Sequence, residues 1–181
     1  MPRYVAFLRA VNVGGRTIKM ERLREVFTKA GFTGVETFIA SGNVIFDSRS
    51  TSIPSLERKI EAALEGALGY EVQTFVRRGE DLKAIAEHQP FPVDAAGEPV
   101  GNIYVCFLRS APGDAYRRQL LTFKTDVDDF DVKGPEAYWL VRGNLLDSQA
   151  DGPAFGRALG LNTMRNRNTI VRLTTKLSKL T

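Results

Sequence analysis

Over the first 78 residues the hydrophobic period switches between that of a strand and that of a helix, in the order strand, helix, strand, strand, helix, strand. Few folds accommodate that order in so short a span. Arg3-Tyr-Val-Ala-Phe-Leu-Arg9 is rich in β-branched and aromatic side chains and apolar at successive positions, which predicts a strand covered on both faces. After a loop over 11–17, Leu23, Val26, Phe27 and Ala30 fall at i, i+3, i+4 and i+7, the stripe of an amphipathic helix that Gly31 ends. Residues 35–40 and 43–47 are β-prone runs joined by Ser41-Gly42, the length of a tight hairpin. Ser52-Ile-Pro54-Ser then opens a second helix with Leu56, Ile60, Ala63, Leu64, Ala67 and Leu68 on one face, and 70–76 reads as a fourth strand. The order is that of a split-βαβ, ferredoxin-like subdomain, in which helices cover only one sheet face. The second half of the chain is expected to cover the other.

That half, from residue 79 to 181, repeats the pattern as a βαββα echo with an added C-terminal helix. A short helix over 80–88 ends at Pro90, followed by a linker through 97, a strand over 103–108, a helix over 113–123, a strand pair at 130–132 and 137–141 across Gly134-Pro135, and a helix over 153–159. A last helix over about 168–177 would bury Ile170, Leu173 and Leu177. The expectation is an α+β protein of two packed subdomains, 1–78 and 79–181, with no residue-level repeat between them. The length of 181 residues suits this, and 43% hydrophobic with 25% charged residues is the composition of a folded soluble chain. Cys106 stands alone, which fits a reducing compartment, the cytoplasm by default. The N-terminal apolar run is too short for a secretory leader, and no run approaches the roughly 18 residues of a membrane span.

Several motifs extend nearly end to end. Phe7-Leu-Arg9-Ala-Val-Asn12-Val-Gly14-Gly15, Met20-Glu-Arg-Leu23-Arg, Gly31-Phe and Ser41-Gly42-Asn43-Val-Ile-Phe46-Asp47-Ser48 are followed by Asn102-Ile-Tyr104-Val, Phe107-Leu, Thr163-Met-Arg165-Asn166-Arg167-Asn168-Thr169 and Lys176-Leu177. In these the chain resembles a bacterial family catalogued as domain of unknown function 1697. The resemblance implies two α+β subdomains, the first ferredoxin-like, and no activity. Where that family's C-terminal motif usually carries an aromatic, as in Arg-Asn-Trp-Asn-Thr, this chain has Arg167.

Charge is uneven: +4 over residues 1–78, −5 over 79–160 and +5 over 161–181. Basic ends either face an anionic partner or pair with the acidic middle. Gly14-Gly15-Arg16, after Asn12, could offer backbone N–H groups and a guanidinium to an anion, without the spacing of a dinucleotide fingerprint or phosphate loop, and paired glycines also simply let a chain turn. Arg165 and Arg167 sit beside the start of the last helix, where positive charge opposes the helix dipole, so an internal carboxylate from Asp126, Asp128, Asp129 or Asp131, or an external phosphate, should offset them. Asn166 or Asn168 would cap that helix. The candidate anion site is therefore Arg9, Asn12, Gly14, Gly15, Arg16, Ser41, Asn43, Arg165 and Asn168, converging on a cleft between subdomains.

Other chemistry has less support. The 126–131 acid run lacks the glycine and terminal glutamate of a calcium loop and reads as a solvated turn. His88 is the single histidine, which leaves no metal site and no Ser-His-Asp arrangement; it reads as a cation at a helix C-terminus. Cys106, between Val105 and Phe107, reads as a core thiol. No cofactor is implied, and whether the chain is an enzyme stays open. The leading reading is a phosphate-bearing or other anionic small molecule bound between subdomains. The alternatives are RNA or single-stranded nucleic acid, and an oligomerising scaffold without ligand. Against RNA, Tyr4, Phe7 and Phe46 should lie covered rather than form a stacking platform.

Overall fold

The computed structural model describes residues 1–12, 14–39 and 42–180. The chain divides into two compact units, residues 1–82 with 177–181, and residues 83–176. Each is a four-stranded antiparallel sheet with helices against it, so the fold is α+β in two subdomains.

The first unit runs β1 (Arg3–Leu8), α1 (Met20–Lys29), β2 (Thr33–Thr37), β3 (Asn43–Asp47), α2 (Ile53–Leu68), β4 (Thr74–Arg78), with strand order β2-β3-β1-β4. This is the ferredoxin-like arrangement, with β1 and β3 central. Alternation along the strands divides the side chains between two faces. Tyr4, Ala6, Leu8, Val44, Phe46 and Val76 meet Leu23, Val26 and Phe27 of α1 and Leu56, Ile60 and Leu64 of α2 in one apolar core. Phe27, Phe32 and Phe46 cluster there at centroid distances of 5.7, 5.8 and 4.7 Å, within the range that favours aromatic pairs. Val5, Phe7, Ile45 and Phe75 take the alternate positions and are also fully buried, beside the buried polar residues Asn43 and Arg77, so side chains on both faces of the sheet are buried. Burial of each such apolar side chain contributes roughly 1.5–3 kcal/mol.

The ends of α2 follow from its sequence. Ser52 caps it by accepting from Ser55 N, Pro54 sits in the first turn where its missing N–H costs nothing, and Gly69 at φ 77° ends it with its N–H on Glu65 O at 2.8 Å. From the same helix Glu57 and Glu61 accept the N–H groups of Val76 (2.9 Å) and Thr74 (2.8 Å), which satisfies the outward donors of edge strand β4.

Two strands shift from their predicted spans. β2 occupies 33–37 rather than 35–40, because Thr33 already pairs with Asp47 across a bulge at Gly34. Its connection to β3 is therefore residues 38–42, not a two-residue hairpin. The predicted turn at Ser41 lies outside the described residues. β4 begins at Thr74, since 70–73 form the connection from α2 rather than strand.

The second unit holds α3 (Leu82–Glu87, continuing from the first), β5 (Asn102–Phe107), α4 (Asp114–Leu121), β6 (Asp128–Lys133), β7 (Glu136–Val141), α5 (Gly152–Leu159), β8 (Thr163–Asn166) and most of α6 (Arg167–Ser178). Its strand order, β6-β7-β5-β8, is that of the first unit. Cys106, Leu120, Phe130, Trp139, Val141 and Phe155 form its helix-side core. The βαββα echo is thus a complete βαββαβ followed by a helix. β8 escapes a pattern search because it is four residues long and a buried arginine, Arg165, fills one inward position.

Strand register also reveals a repeat that the sequence reading missed. Val5 pairs with Arg77 and Val105 with Arg165, while Phe7 pairs with Asn43 and Phe107 with Glu136. Tyr4-Val-Ala-Phe-Leu-Arg9 therefore corresponds to Tyr104-Val-Cys-Phe-Leu-Arg109, identical at every position except Ala6 and Cys106.

Candidate functional site

In the first unit β1 ends, β3 and β4 begin, α1 starts and α2 finishes at the same end of the sheet. Three connections meet there: 9–19, 38–42 and 69–73. Hydrogen bonds tie them together. Leu8 N donates to Gly42 O, Arg9 N donates to Gln73 O, both at 2.9 Å, and Phe38 N donates to Asn43 O. The corresponding connections of the second unit are shorter at each place: 108–113, 134–135 and 160–162. When two copies of one architecture differ by longer loops at one end, that end of the longer-looped copy is where function concentrates.

Backbone strain gathers at the same end. Among the described residues the non-glycine positions with positive φ are Ala10 (55°) and Ile39 (59°), one in each of two of these connections. A β-branched residue there is a steric outlier costing about 1–2 kcal/mol. Gly14 (65°) and Gly15 (80°) continue the unusual backbone, both exposed, with open space where a side chain would project. Gly42 has the opposite role: at φ 79° a Cβ would come 3.2 Å from Leu8 Cβ and 3.3 Å from Val11 Cγ2, so its smallness lets the two loops approach.

The predicted site residues divide by what they hold. Asn12 Oδ1 accepts from Ile18 N at 2.9 Å and pins the first loop. Asn43 is fully buried and its Nδ2 donates to Phe38 O at 2.9 Å, pinning the second. Both are loop supports. Arg9 and Arg16 are exposed, and among the described residues no carboxylate pairs with either. Arg16 places its guanidinium carbon 4.4 Å from the centre of the Tyr70 ring. With Lys19 the three connections carry three cations against one carboxylate, Glu71, which accepts from Gln73 Nε2. Ser41 lies outside the described residues. Arg165 and Asn168 belong to the second unit. Arg165 sits in β8, nearly buried, donating to Thr163 Oγ1 (2.9 Å) and Met164 O (2.8 Å); burial pushes its guanidinium down to about 10, still protonated at neutral pH. Asn168, exposed, donates its N–H to Asn166 Oδ1, so Asn166 supplies the cap of α6.

The acidic middle is not a solvated turn. Asp128, Asp129 and Asp131 lie in β6 and are buried. Asp129 meets Lys124 at 2.8 Å and Arg142 at 3.8 Å, and Asp131 meets Arg117 at 2.6 Å and His88 Nε2 at 2.7 Å. His88 thus ties the segment after α3 to β6, with its ring 4.6 Å from that of Tyr138. Arg167 donates to Ala86 O at 2.6 Å. Cys106 is fully buried, its thiol pushed up to about 12 by desolvation, the state of an unreactive core residue. Among the described residues no group of three His, Cys, Asp or Glu is arranged to hold a metal ion, and no helix is long and apolar enough to cross a membrane. Tyr4 and Phe46 lie under the helices and Phe7 is fully buried on the other face, so the sheet presents no open stacking surface.

Tyr70 is the residue that sequence reasoning missed, because it was counted as the start of a strand. An aromatic directly after a helix-ending glycine was the available signal.

The model of a family described as protein of unknown function (DUF1697) matches residues 1–138. The conserved bacterial protein SP0830 from Streptococcus pneumoniae has a similar solved structure, at TM-score 0.72 and 23% identity over 98% of this chain and 99% of that one. This likeness bears out the fold. No curated protein sequence matches.

Proposed function

Because the chain belongs to the DUF1697 family, described as of unknown function, its activity must be reasoned from its own residues, and we propose that it binds a phosphate-bearing or other anionic small molecule at the three-loop end of the N-terminal sheet. Arg9 and Arg16 supply positive charge, and the backbone N–H groups of the exposed residues Gly14 and Gly15 supply hydrogen-bond donors to the same anion. The observation that carries this reading is the exposure of two arginines, unmatched by any described carboxylate, in a connection longer than its counterpart in the second unit. A guanidinium in that setting loses little on binding, because no internal ion pair has to break. The buried, unpaired thiol of Cys106 accords with a cytoplasmic setting.

Thermal shift against inorganic phosphate and a sugar-phosphate panel tests the reading. A ligand at 100 times its Kd adds about 2.7 kcal/mol to stability and raises the midpoint. Arg9→Ala and Arg16→Ala should each reduce that rise while leaving the ligand-free midpoint nearly unchanged. Equal shifts in wild type and both variants contradict it.

A further inference from the structure

Arg16 does more than present charge. Its guanidinium carbon lies over the Tyr70 ring, 4.4 Å from the centroid, and Tyr70 is itself half-buried against the helix-side core, immediately after the cap of α2 at Gly69. The connection that carries Tyr70 is tied to β1 by the bond from Arg9 N to Gln73 O. The ring is thus a fixed platform, and the guanidinium rests over it while Arg16 as a whole remains exposed. A bare phosphate has no use for this arrangement, since the N–H edge of an arginine serves it equally well without stacking. What a supported, open guanidinium plane adds is a surface for a second flat aromatic group.

From this stack we infer that the ligand of the three-loop end is a nucleoside 5′-phosphate, its base lying on the free face of Arg16 above Tyr70 and its phosphate held by Arg9 and the Gly14 and Gly15 amides. The inference rests on the anion-site reading and names its ligand class. Arg9 with the Gly14 and Gly15 amides suffices for one phosphoryl group, whereas strand-binding surfaces follow the backbone with a groove of several cations and successive stacked bases. A mononucleotide is therefore the occupant that the geometry favours over a polynucleotide.

Isothermal titration calorimetry of the full chain at low salt tests this, with inorganic phosphate, ribose 5-phosphate, the nucleoside 5′-monophosphates and a tetranucleotide as probes. A nucleoside monophosphate should bind about tenfold or more tightly than ribose 5-phosphate, the scale of one base–plane contact. Tyr70→Leu keeps an apolar side chain against the core and leaves Arg9, Arg16 and the two glycine amides in place. This variant should erase the preference for the nucleotide and leave ribose 5-phosphate binding within about threefold. The unchanged ribose 5-phosphate affinity also shows that the variant is folded. Equal affinity of wild type for ribose 5-phosphate and every nucleotide overturns the inference and leaves the anion site standing. No binding of any phosphate overturns both. A tetranucleotide binding more than about tenfold tighter than every mononucleotide overturns the mononucleotide in favour of a strand.

Discussion

Removal of the Asp128 carboxylate should be among the most damaging single changes to the second subdomain. It is fully buried in β6 and accepts from Trp139 Nε1 (2.9 Å), Thr125 Oγ1 (2.9 Å), Ser148 Oγ (2.6 Å) and the backbone N–H groups of Gln149 (2.8 Å) and Ala150 (3.2 Å). One side chain thus fastens the 145–150 segment and the indole to the strand. In Asp128→Ala the indole N–H stays buried without an acceptor, the Ala150 N–H keeps Ser148 Oγ at 3.1 Å, and Gln149 and the hydroxyls reach water. At about 1–3 kcal/mol for the orphaned indole and about 0.5–1 for each of the lost bonds to Thr125, Ser148 and Gln149, the loss is about 4 kcal/mol, a large part of a typical stability of about 5–15. Asp128→Asn keeps the shape and one acceptor oxygen and should lose about half of that. Urea unfolding followed by the fluorescence of Trp139, the single tryptophan, measures both. The acid limb supplies an independent check. Burial alone would push this carboxyl up, but the hydrogen bonds from Ser148, Gln149, Trp139 and Thr125 outweigh it and hold it below the ordinary aspartate value. Its folded value being lower than its unfolded one, the contribution is complete above about pH 4 and falls away as pH drops toward the folded value. Asp128→Asn should flatten that part of the pH profile. A loss under about 1 kcal/mol for Asp128→Ala, or an unchanged acid limb in Asp128→Asn, refutes the reasoning.

Gly42→Ala should destabilise by about 2 kcal/mol, since it adds a left-handed penalty of roughly 1–2 kcal/mol to the crowding against Leu8 and Val11; a thermal midpoint within a degree of wild type would contradict this. Cys106 should resist a thiol reagent in the native state and react at the rate of opening, because a buried thiol with a folded value near 12 supplies no thiolate. As that value lies above the unfolded one, stability should also fall as pH climbs past about 8.5. Gly34→Ala drives a Cβ into Asp47 Oδ2, which accepts from Arg3 Nη2 at 3.0 Å while Oδ1 accepts from Arg3 Nε at 2.8 Å, so it should weaken that pair and loosen the carbonyl of Leu180 that Arg3 also binds; hydrogen exchange at the C-terminus reads this out.

The first subdomain was readable because each local signal agreed with the global one: Pro54, the Ser52 cap and Gly69 bracket a helix whose apolar stripe meets a strand apolar on both faces. The second was less so. Arg165 occupies a strand position where an apolar residue is expected, which hid β8, and its buried cation becomes intelligible only once Thr163 Oγ1 and the Met164 carbonyl are seen beside it. The acid run misled in the opposite direction: Asp129 and Asp131 tolerate burial because Lys124, Arg142, Arg117 and His88 approach from other segments, and sequence spacing carries no trace of that. At the candidate site, Arg9, Arg16 and the glycine pair were legible as exposed polar positions in a loop. That Asn12 and Asn43 brace those loops, and that Tyr70 supports Arg16, depends on folded geometry.

Amide proton–nitrogen correlation spectra during a titration with inorganic phosphate locate the anion directly. Displaced resonances should cluster in 9–16 and 69–73, led by the Gly14 and Gly15 amides, and should vanish when Arg9 and Arg16 are both replaced by alanine. Shifts confined to other segments, or an undisturbed spectrum at tens of millimolar phosphate, would contradict the assignment of this end of the sheet as the binding site.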